Sequence, residues 1–285
     1  MPTPSRIDLH AHSTASDGTE SPAQLMRTAE RVGLDVVALT DHDTTAGWAE
    51  AVGSLPVGLT LVPGAEISCG RRGVSAHLLA YLFDPADADL GAELARTRDD
   101  RVPRARAMVD KLAAAGVPLT WEQVLARVQP GATVGRPHLA DALVDAGVVA
   151  DRTEAFDSYL HRNSPYYVRH HTIDPVAAVR LVRGAGGVPV LAHAGAHTRG
   201  RVLAEEVIAE MAAAGLGGLE VDHPDHDVET RARMRDLARA LDLLPTGSSD
   251  YHGTGKVTRL GEETTAPEVY EALVAAATGS RPVQA

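Results

Sequence analysis

The feature that most restricts this chain is an alternation. Short apolar runs, each about as long as a strand, recur with helix-patterned segments between them. Residues 7–12 form the first such run. Ser21-Pro22-Ala23-Gln24 then reads as a helix start, with a Ser cap, Pro at the first helical position and Gln three residues past the cap. Leu25, Met26, Ala29 and Val32 give that helix an apolar stripe, and Gly33 ends it. Strands are expected over 35–39, 59–67 and 74–82, with a short helix over 45–52. Later come a helix to about residue 183, a strand over 188–193, a helix over 201–214, a strand over 218–222, a helix over 228–241 and a strand-like run over 243–250. This pattern predicts an α/β fold around a largely parallel sheet. Aromatic residues make up only 4% of the chain, so the core must be aliphatic, which suits a sheet covered on both faces.

The rhythm breaks between about residues 84 and 171. Helices are expected there over 88–115, 121–128, 137–146 and 153–161, punctuated by Gly116-Val117-Pro118, Gln129-Pro130-Gly131 and Asn163-Ser164-Pro165. We read 85–171 as a helical insertion or cap, and 1–84 with 172–285 as one α/β barrel domain. Insertions on barrels commonly line the mouth of the site. No internal repeat stands out, and the tail after Thr278 reads as an unstructured end.

The formal net charge of −11 leaves no basic footprint for duplex nucleic acid. Small anionic substrates remain compatible with it, because bound cations reverse the local field. The single Cys69 excludes a disulfide scaffold and reads as a small buried residue, which fits a cytoplasmic setting. Residues 1–6 are short and polar, with no signal-peptide pattern, and no run reaches membrane-spanning length.

The 13 histidines are informative by placement. His10 and His12 lie two apart on the first strand, so their side chains share a face, with Asp8 on it too. Asp17 follows on the next loop. His42 ends the second strand between Asp41 and Asp43, Glu66 closes the third, His77 lies within the fourth, His193 ends the run Val190-Leu191-Ala192, and Asp250 and His252 follow the last strand. In a parallel barrel those strand ends converge on one face. Imidazole and carboxylate donors without thiolate suit Zn²⁺, Mn²⁺ or Fe²⁺ rather than Ca²⁺. So many donors imply two or three ions, with Glu66 as the candidate bridging carboxylate. Such a centre acidifies water and neutralises a phosphoryl group, the chemistry of a phosphoesterase.

The segments Ile7-Asp8-Leu9-His10-Ala11-His12, Ser16-Asp17-Gly18, Leu39-Thr40-Asp41-His42-Asp43 and Pro63-Gly64-Ala65-Glu66-Ile67-Ser68, followed by His77, Ala192-His193 and Ser249-Asp250-Tyr251-His252, resemble the PHP (polymerase and histidinol phosphatase) family. The resemblance implies a distorted (β/α) barrel with three divalent ions, Mn²⁺ first, with Zn²⁺, Fe²⁺ or Mg²⁺ as alternatives. Carried over by motif, His10, His12, Glu66 and Asp250 would hold one ion, Glu66, His77 and His193 a second, and Asp17, His42 and His252 a third. Gly135-Arg136-Pro137-His138 and Glu220-Val221-Asp222-His223-Pro224 look like the family's capped phosphatases of nucleoside 3′,5′-bisphosphates, some of which trim short oligonucleotides. Arg136 and His138 would then grip a phosphate from the cap, and His223 would touch substrate from the barrel rim. The partner so implied is a small phosphorylated molecule, a nucleotide. His161, His170, His171, His197 and His226 read as solvated loop residues.

Three rivals are weighed against this. A histidinol-phosphate phosphatase shares the cluster but lacks the capped Gly-Arg-Pro-His arrangement. An amidohydrolase-like barrel would call for a carboxylated lysine, and Lys111 and Lys256 are the only lysines. A non-catalytic metal-binding accessory domain would keep the donors without turnover.

Overall fold

The computed structural model describes residues 5–285, with the side chain of Arg199 left out. The expectation for the first four residues lies outside the described residues. The barrel opens with β1 (Ile7–Asp8), α1 (Pro22–Arg31), β2 (Val36–Leu39), α2 (Trp48–Gly53), β3 (Thr60–Arg71) and β4 (Val74–Tyr81). The insertion carries α3 (Ala88–Ala114), α4 (Trp121–Leu125), α5 (Arg136–Asp145) and α6 (Arg152–Ala155), which runs into a π-helical turn over Phe156–Leu160. The barrel resumes with α7 (Pro175–Gly184), β5 (Val188–Leu191), α8 (Glu205–Ala213), β6 (Gly218–Asp222), α9 (Val228–Ala240), β7 (Leu244–Gly247), α10 (Pro267–Ala276) and β8 (Val283–Gln284).

Local chemistry accounts for the element starts. Ser21 Oγ accepts from Gln24 N at 3.2 Å while Gln24 Oε1 accepts from Ser21 N at 2.8 Å, so the expected reciprocal cap forms. Thr120 and Gln123 form the same reciprocal cap, and Asp87, Asp151, Asp174 and Asp227 each accept from a backbone N–H in the first turn of their helices.

The strands run in the order β1 to β7, with β8 on β3. The sheet is nearly closed: Ala11 bridges Tyr251, with His12 N donating to Tyr251 O at 2.8 Å and Tyr251 N to His10 O at 3.2 Å. Pairing is parallel across β1–β2–β3 and β5–β6–β7, so the sheet is largely parallel as expected, with β4 alone of these running against both neighbours. The reason is the connection. Arg72 and Gly73 both take positive φ, 48° and 78°, as a two-residue hairpin turn requires. A parallel crossover would need a dozen residues or more.

One apolar cluster fills the barrel with residues such as Leu9, Val36, Val62, Leu79 and Val190, closed at one end by Tyr270 and Leu273 of α10. A second packs the outer face of β3 to β6 under α7, α8 and α9. The insertion has a cluster of its own around Met108, Leu112, Leu139, Leu143 and Leu160. The two regions meet along a helix and not at a loop. Leu90 and Leu94 of α3 pack on the barrel, whereas Met108 and Leu112, past the internal Pro103, pack in the insertion. The middle of α3 therefore faces the junction.

The end of the chain departs from expectation. Thr278 N and Gly279 N donate to Gly186 O, Ser280 N donates to Leu82 O, and β8 pairs antiparallel with Thr60 and Leu61. A two-residue strand carries no periodicity; it forms because the start of β3 offers unpaired backbone. No described helix is long and apolar enough to cross a membrane.

Candidate metal centre and its cap

Glu66 lies at the middle of the pocket and is 1% exposed. Its Oε1 is 2.8 Å from His77 Nδ1 and 3.1 Å from His193 Nε2. Its Oε2 is 3.3 Å from His10 Nε2, 3.2 Å from His12 Nε2 and 3.1 Å from His42 Nδ1. Asp250 Oδ1 stands 3.4 Å from both His10 Nε2 and His12 Nε2. Asp17 takes the remaining corner, 3.4 Å from His252 Nε2 and 3.7 Å from His42 Nε2. All nine donors singled out in the sequence thus share one cavity. Three sets have donor atoms within 4.8 Å of one another: His12, Asp17, His42 and His252; His10, His12 and Asp250; and His42, Glu66 and His77.

The backbone that presents them is strained. Asp43, His193 and Asp250 hold positive φ of 55°, 32° and 51° although none is glycine. Such conformations persist only where the surroundings enforce them. Asp8 supplies part of the enforcement. Its carboxylate accepts from Ser249 N, Ser249 Oγ, Gly261 N and His10 N, so Asp8 braces the pocket and does not enter it. Asp41 holds Ser13 and Ser16 in the same manner. β1 is also shorter than expected. Its ladder to β2 stops at Asp8, and His10 and His12 keep a common face through the pairing of Ala11 with Tyr251.

Electrostatics show what the cavity can hold. Burial alone would depress His10 and His12, but Asp250 and Glu66, helped by Glu220 at His10 and Asp17 at His12, outweigh it. His10 is held well above its ordinary value and His12 rises to about 9. At His42 and His252 burial prevails, and they fall to about 3 and about 4. Burial would raise Asp17 and Glu66, yet the imidazoles, His42 foremost, keep both well below the carboxylate range. His42 Nδ1 is buried and makes no hydrogen bond despite the nearby carboxylate. Converging imidazole lone pairs and buried carboxylates call for positive charge at the centre, and this donor set fits divalent cations.

The insertion forms the other wall. Arg101 of α3 holds buried Asp43 Oδ2 through Nε at 3.0 Å and Nη2 at 2.6 Å, and also donates to Ser68 Oγ. Arg104 donates to Val168 O at 2.9 Å and lies over the Tyr167 ring, 5.2 Å from its centroid. Arg136 donates to Leu160 O at 2.9 Å and stacks over Phe156. Burial, then the like charges of Arg136 and Arg101, lowers Arg104 to about 9. Burial also lowers Arg136, with Arg162 and Arg101 adding to it. Arg101, Arg104 and Arg136 thus crowd positive charge into one part of the insertion. A side chain added at Gly135, the cap of α5, would meet Arg101 Nη1 at 3.8 Å and Asp17 Oδ2 at 3.9 Å, so the insertion touches the barrel cluster there. His138 is buried, and its Nδ1 accepts from Gly135 N at 3.0 Å.

The comparisons with known proteins match this geometry. The PHP domain family model covers residues 8–84. The chain is 35% identical to a 3′,5′-nucleoside bisphosphate phosphatase of Chromobacterium violaceum, over 88% of each protein. The chain belongs to the PHP family. A 5′-3′ exoribonuclease of Haemophilus influenzae is 33% identical to this PHP chain over 87% of it and 90% of the relative. A Bifidobacterium adolescentis structure classed as a metal-dependent phosphoesterase superposes with a TM-score of 0.91 at 41% identity, covering 95% of this chain and 96% of the other. The PHP chain is therefore a metal-dependent phosphoesterase, a hydrolase of phosphate ester bonds.

Several residues of this PHP pocket differ from their sequence reading. His223 is 1% exposed and so lies below the rim, with Nε2 at 3.5 Å from Asp250 Oδ2 and its ring 5.5 Å from that of His193. His226 is buried too, binding Val221 O and Gly195 N. His171 pairs with Glu93 at 2.5 Å. His170 is half-buried with an unbonded Nε2; burial and then Arg104, Arg101, Arg136 and His77 depress it strongly, so it stands where cap and cluster meet. His170, His171 and His226 are therefore not solvated loop residues, whereas His161 and His197 are exposed. Glu220 was missed although the pattern held a signal, a carboxylate in a strand ending on the same face. It accepts from His193 N at 2.6 Å, bonds His10 Nδ1 at 3.1 Å and also holds Ser248 Oγ. Arg101, Arg104 and Lys256 had no local signal. Cys69 is buried, and burial pushes its thiol up.

Proposed function

We propose that this protein is a phosphatase of nucleoside 3′,5′-bisphosphates, with trimming of short oligonucleotides from the 5′ end as a related activity. One observation carries the reading: the two oxygens of buried Glu66 face two different groups of imidazoles. A carboxylate shared between neighbouring cations is placed in this way. In this reading His10, His12, Glu66 and Asp250 hold one ion, Glu66, His77 and His193 a second, and Asp17, His42 and His252 a third. Mn²⁺ is the first candidate, followed by Zn²⁺, Fe²⁺ or Mg²⁺.

Bound ions would supply an acidified water as nucleophile and neutralise charge on the phosphoryl group. The chain's own groups position. Glu220, on His10 Nδ1, turns the Nε2 of that ring toward Glu66 and Asp250. His252 Nδ1 donates to Asp250 O at 2.8 Å and so directs its Nε2 lone pair at Asp17. The cap arginines make a second anion site beside the cluster, and two phosphates across one nucleoside match two such sites. An RNA chain likewise carries phosphate on both sides of each nucleoside, which brings the two named relatives under one geometry. Arg136 and His138 would bind from the cap, with Arg101 and Arg104 beside them, and His223 from next to Asp250. Residues 85–171 would serve as the substrate-binding unit and residues 1–84 with 172–285 as the catalytic barrel, working in the cytoplasm.

The test is phosphate release by Mn²⁺-loaded protein from adenosine 3′,5′-bisphosphate, AMP, histidinol phosphate and 5′-phosphorylated short RNA. The bisphosphate should give the highest kcat/KM. Preference for histidinol phosphate would overturn the substrate assignment, and failure to release phosphate even from p-nitrophenyl phosphate would overturn catalysis.

A further inference from the structure

We propose that Lys256 is a phosphate-binding residue of this site, held beside Asp250 at the edge of the buried donors. The inference rests on the phosphatase reading above and assigns a contact which that reading does not use. Lys256 Nζ lies 2.6 Å from Asp250 Oδ2, while Asp250 Oδ1 faces His10 and His12 at 3.4 Å. The ammonium is therefore one carboxylate away from the middle of the cluster. Asp250 is 2% exposed and the Lys256 side chain 32%, so the cation spans the boundary between the buried donors and solvent, where an entering anion must pass.

The turn that carries it is built tightly. Gly253 takes φ of +67°, and a Cβ there would collide with Thr19 Oγ1. Thr254 N donates to the same Thr19 oxygen at 2.8 Å. On the other side Arg152, paired with Asp141 at 2.6 and 2.7 Å, donates to Gly255 O at 3.4 Å, and a Cβ at Gly255 would collide with its guanidinium. Two glycines thus let the turn be gripped by the loop after β1 and by the insertion together, and the grip delivers Lys256 to Asp250. A lysine needed only for solubility requires no such placement.

The residue type also fits. Of 27 lysines and arginines only two are lysine: Lys111 in α3, which donates to Pro165 O, and Lys256. A guanidinium would lock onto Asp250 in a planar fork. A compact ammonium with three rotatable donors can keep one bond to the carboxylate and turn others to phosphate. Among the described residues Asp250 is the partner shown for it.

The experiment compares wild type, K256A, K256Q and K256R, all Mn²⁺-loaded, by steady-state kinetics on adenosine 3′,5′-bisphosphate, calorimetric titration with inorganic phosphate and metal content. K256A and K256Q should raise KM and weaken phosphate binding about 10-fold or more, the scale of a lost charged hydrogen bond. Bound metal should stay at the wild-type level, and K256R should recover part of the affinity. Unchanged KM and phosphate affinity in K256A and K256Q would overturn the proposal. So would loss of bound metal with phosphate affinity intact, which would make Lys256 a positioning residue for Asp250. A wild type that hydrolyses no phosphomonoester would instead sink the phosphatase reading, a separate result.

Discussion

The barrel pocket and the cap wall solve the same problem in opposite ways. Both bury charge. In the pocket the charges are of two kinds and neutralise one another across Glu66, Asp17 and the imidazoles, held by carboxylates such as Asp8, Asp41 and Glu220 that never reach the centre. In the cap the charges are of one sign. Arg104 and Arg136 spend their donors on backbone carbonyls and lie against aromatic rings. Arg101, between the two regions, alone of the three has a buried carboxylate partner. The pocket thus gathers cation donors and the cap gathers positive charge, and Arg101 joins them.

The sharpest break of this comparison is Glu66→Ala. Removing the shared carboxylate should lower kcat by about 10³-fold or more while the fold persists, since loss of even one preorganised contact costs 10²–10³. His10→Ala should behave alike, and near wild-type rates in both purified variants would end the centre's assignment. Next is Arg101→Ala. It strands Asp43 as a buried unpaired charge and should cost about 3–5 kcal/mol in denaturant unfolding. A cost below about 1 kcal/mol would show that the ion pair does not join the two regions.

Glu220→Gln keeps the shape but weakens the hold on His10, and should cost about 10–100-fold in metal affinity or activity, read from Mn²⁺ titration. Arg136→Ala should leave turnover of a simple aryl phosphate near wild type and lower kcat/KM for the bisphosphate about 10-fold. An equal loss on both substrates would contradict a separate cap site.

The smallest effect is on the pH dependence of the metal-free protein. His12 is raised to about 9, so its stabilisation is present below pH 6.5 and fades as pH rises through 9. His42 and His252 are depressed to about 3 and about 4, so stability also falls as pH drops below 6.5 and the unfolded chain takes up their protons. Melting should be highest near pH 6.5, and saturating Mn²⁺ should raise the melting temperature most at the alkaline end. A flat profile would show that these histidines do not titrate as the cavity dictates.

Legibility followed the physical range of each signal. The Ser21 cap, the α1 stripe and the alternation of elements are local, and each residue carries its message in its neighbours. His10, His12, His42, Glu66, His193 and Asp250 were readable because each lies at or near a strand end, and a barrel gathers strand ends. The direction of β4 was not legible because it hangs on one turn, Arg72-Gly73, where arginine at positive φ carries no sequence mark. β8 was missed because it exists only against the open start of β3.

Periodicity and residue chemistry belong to the chain as written, so the class of fold, the donor types and the family could be read from it. Which oxygen of Glu66 faces which imidazole, that Glu220 holds His10, and that α3 carries one face into both regions are visible in the folded chain alone. It alone brought Lys256 to Asp250 through a turn clasped by Thr19 and Arg152. Such pairings join residues far apart in the chain, and their energies depend on burial and angle, which exist only after the chain has closed on itself.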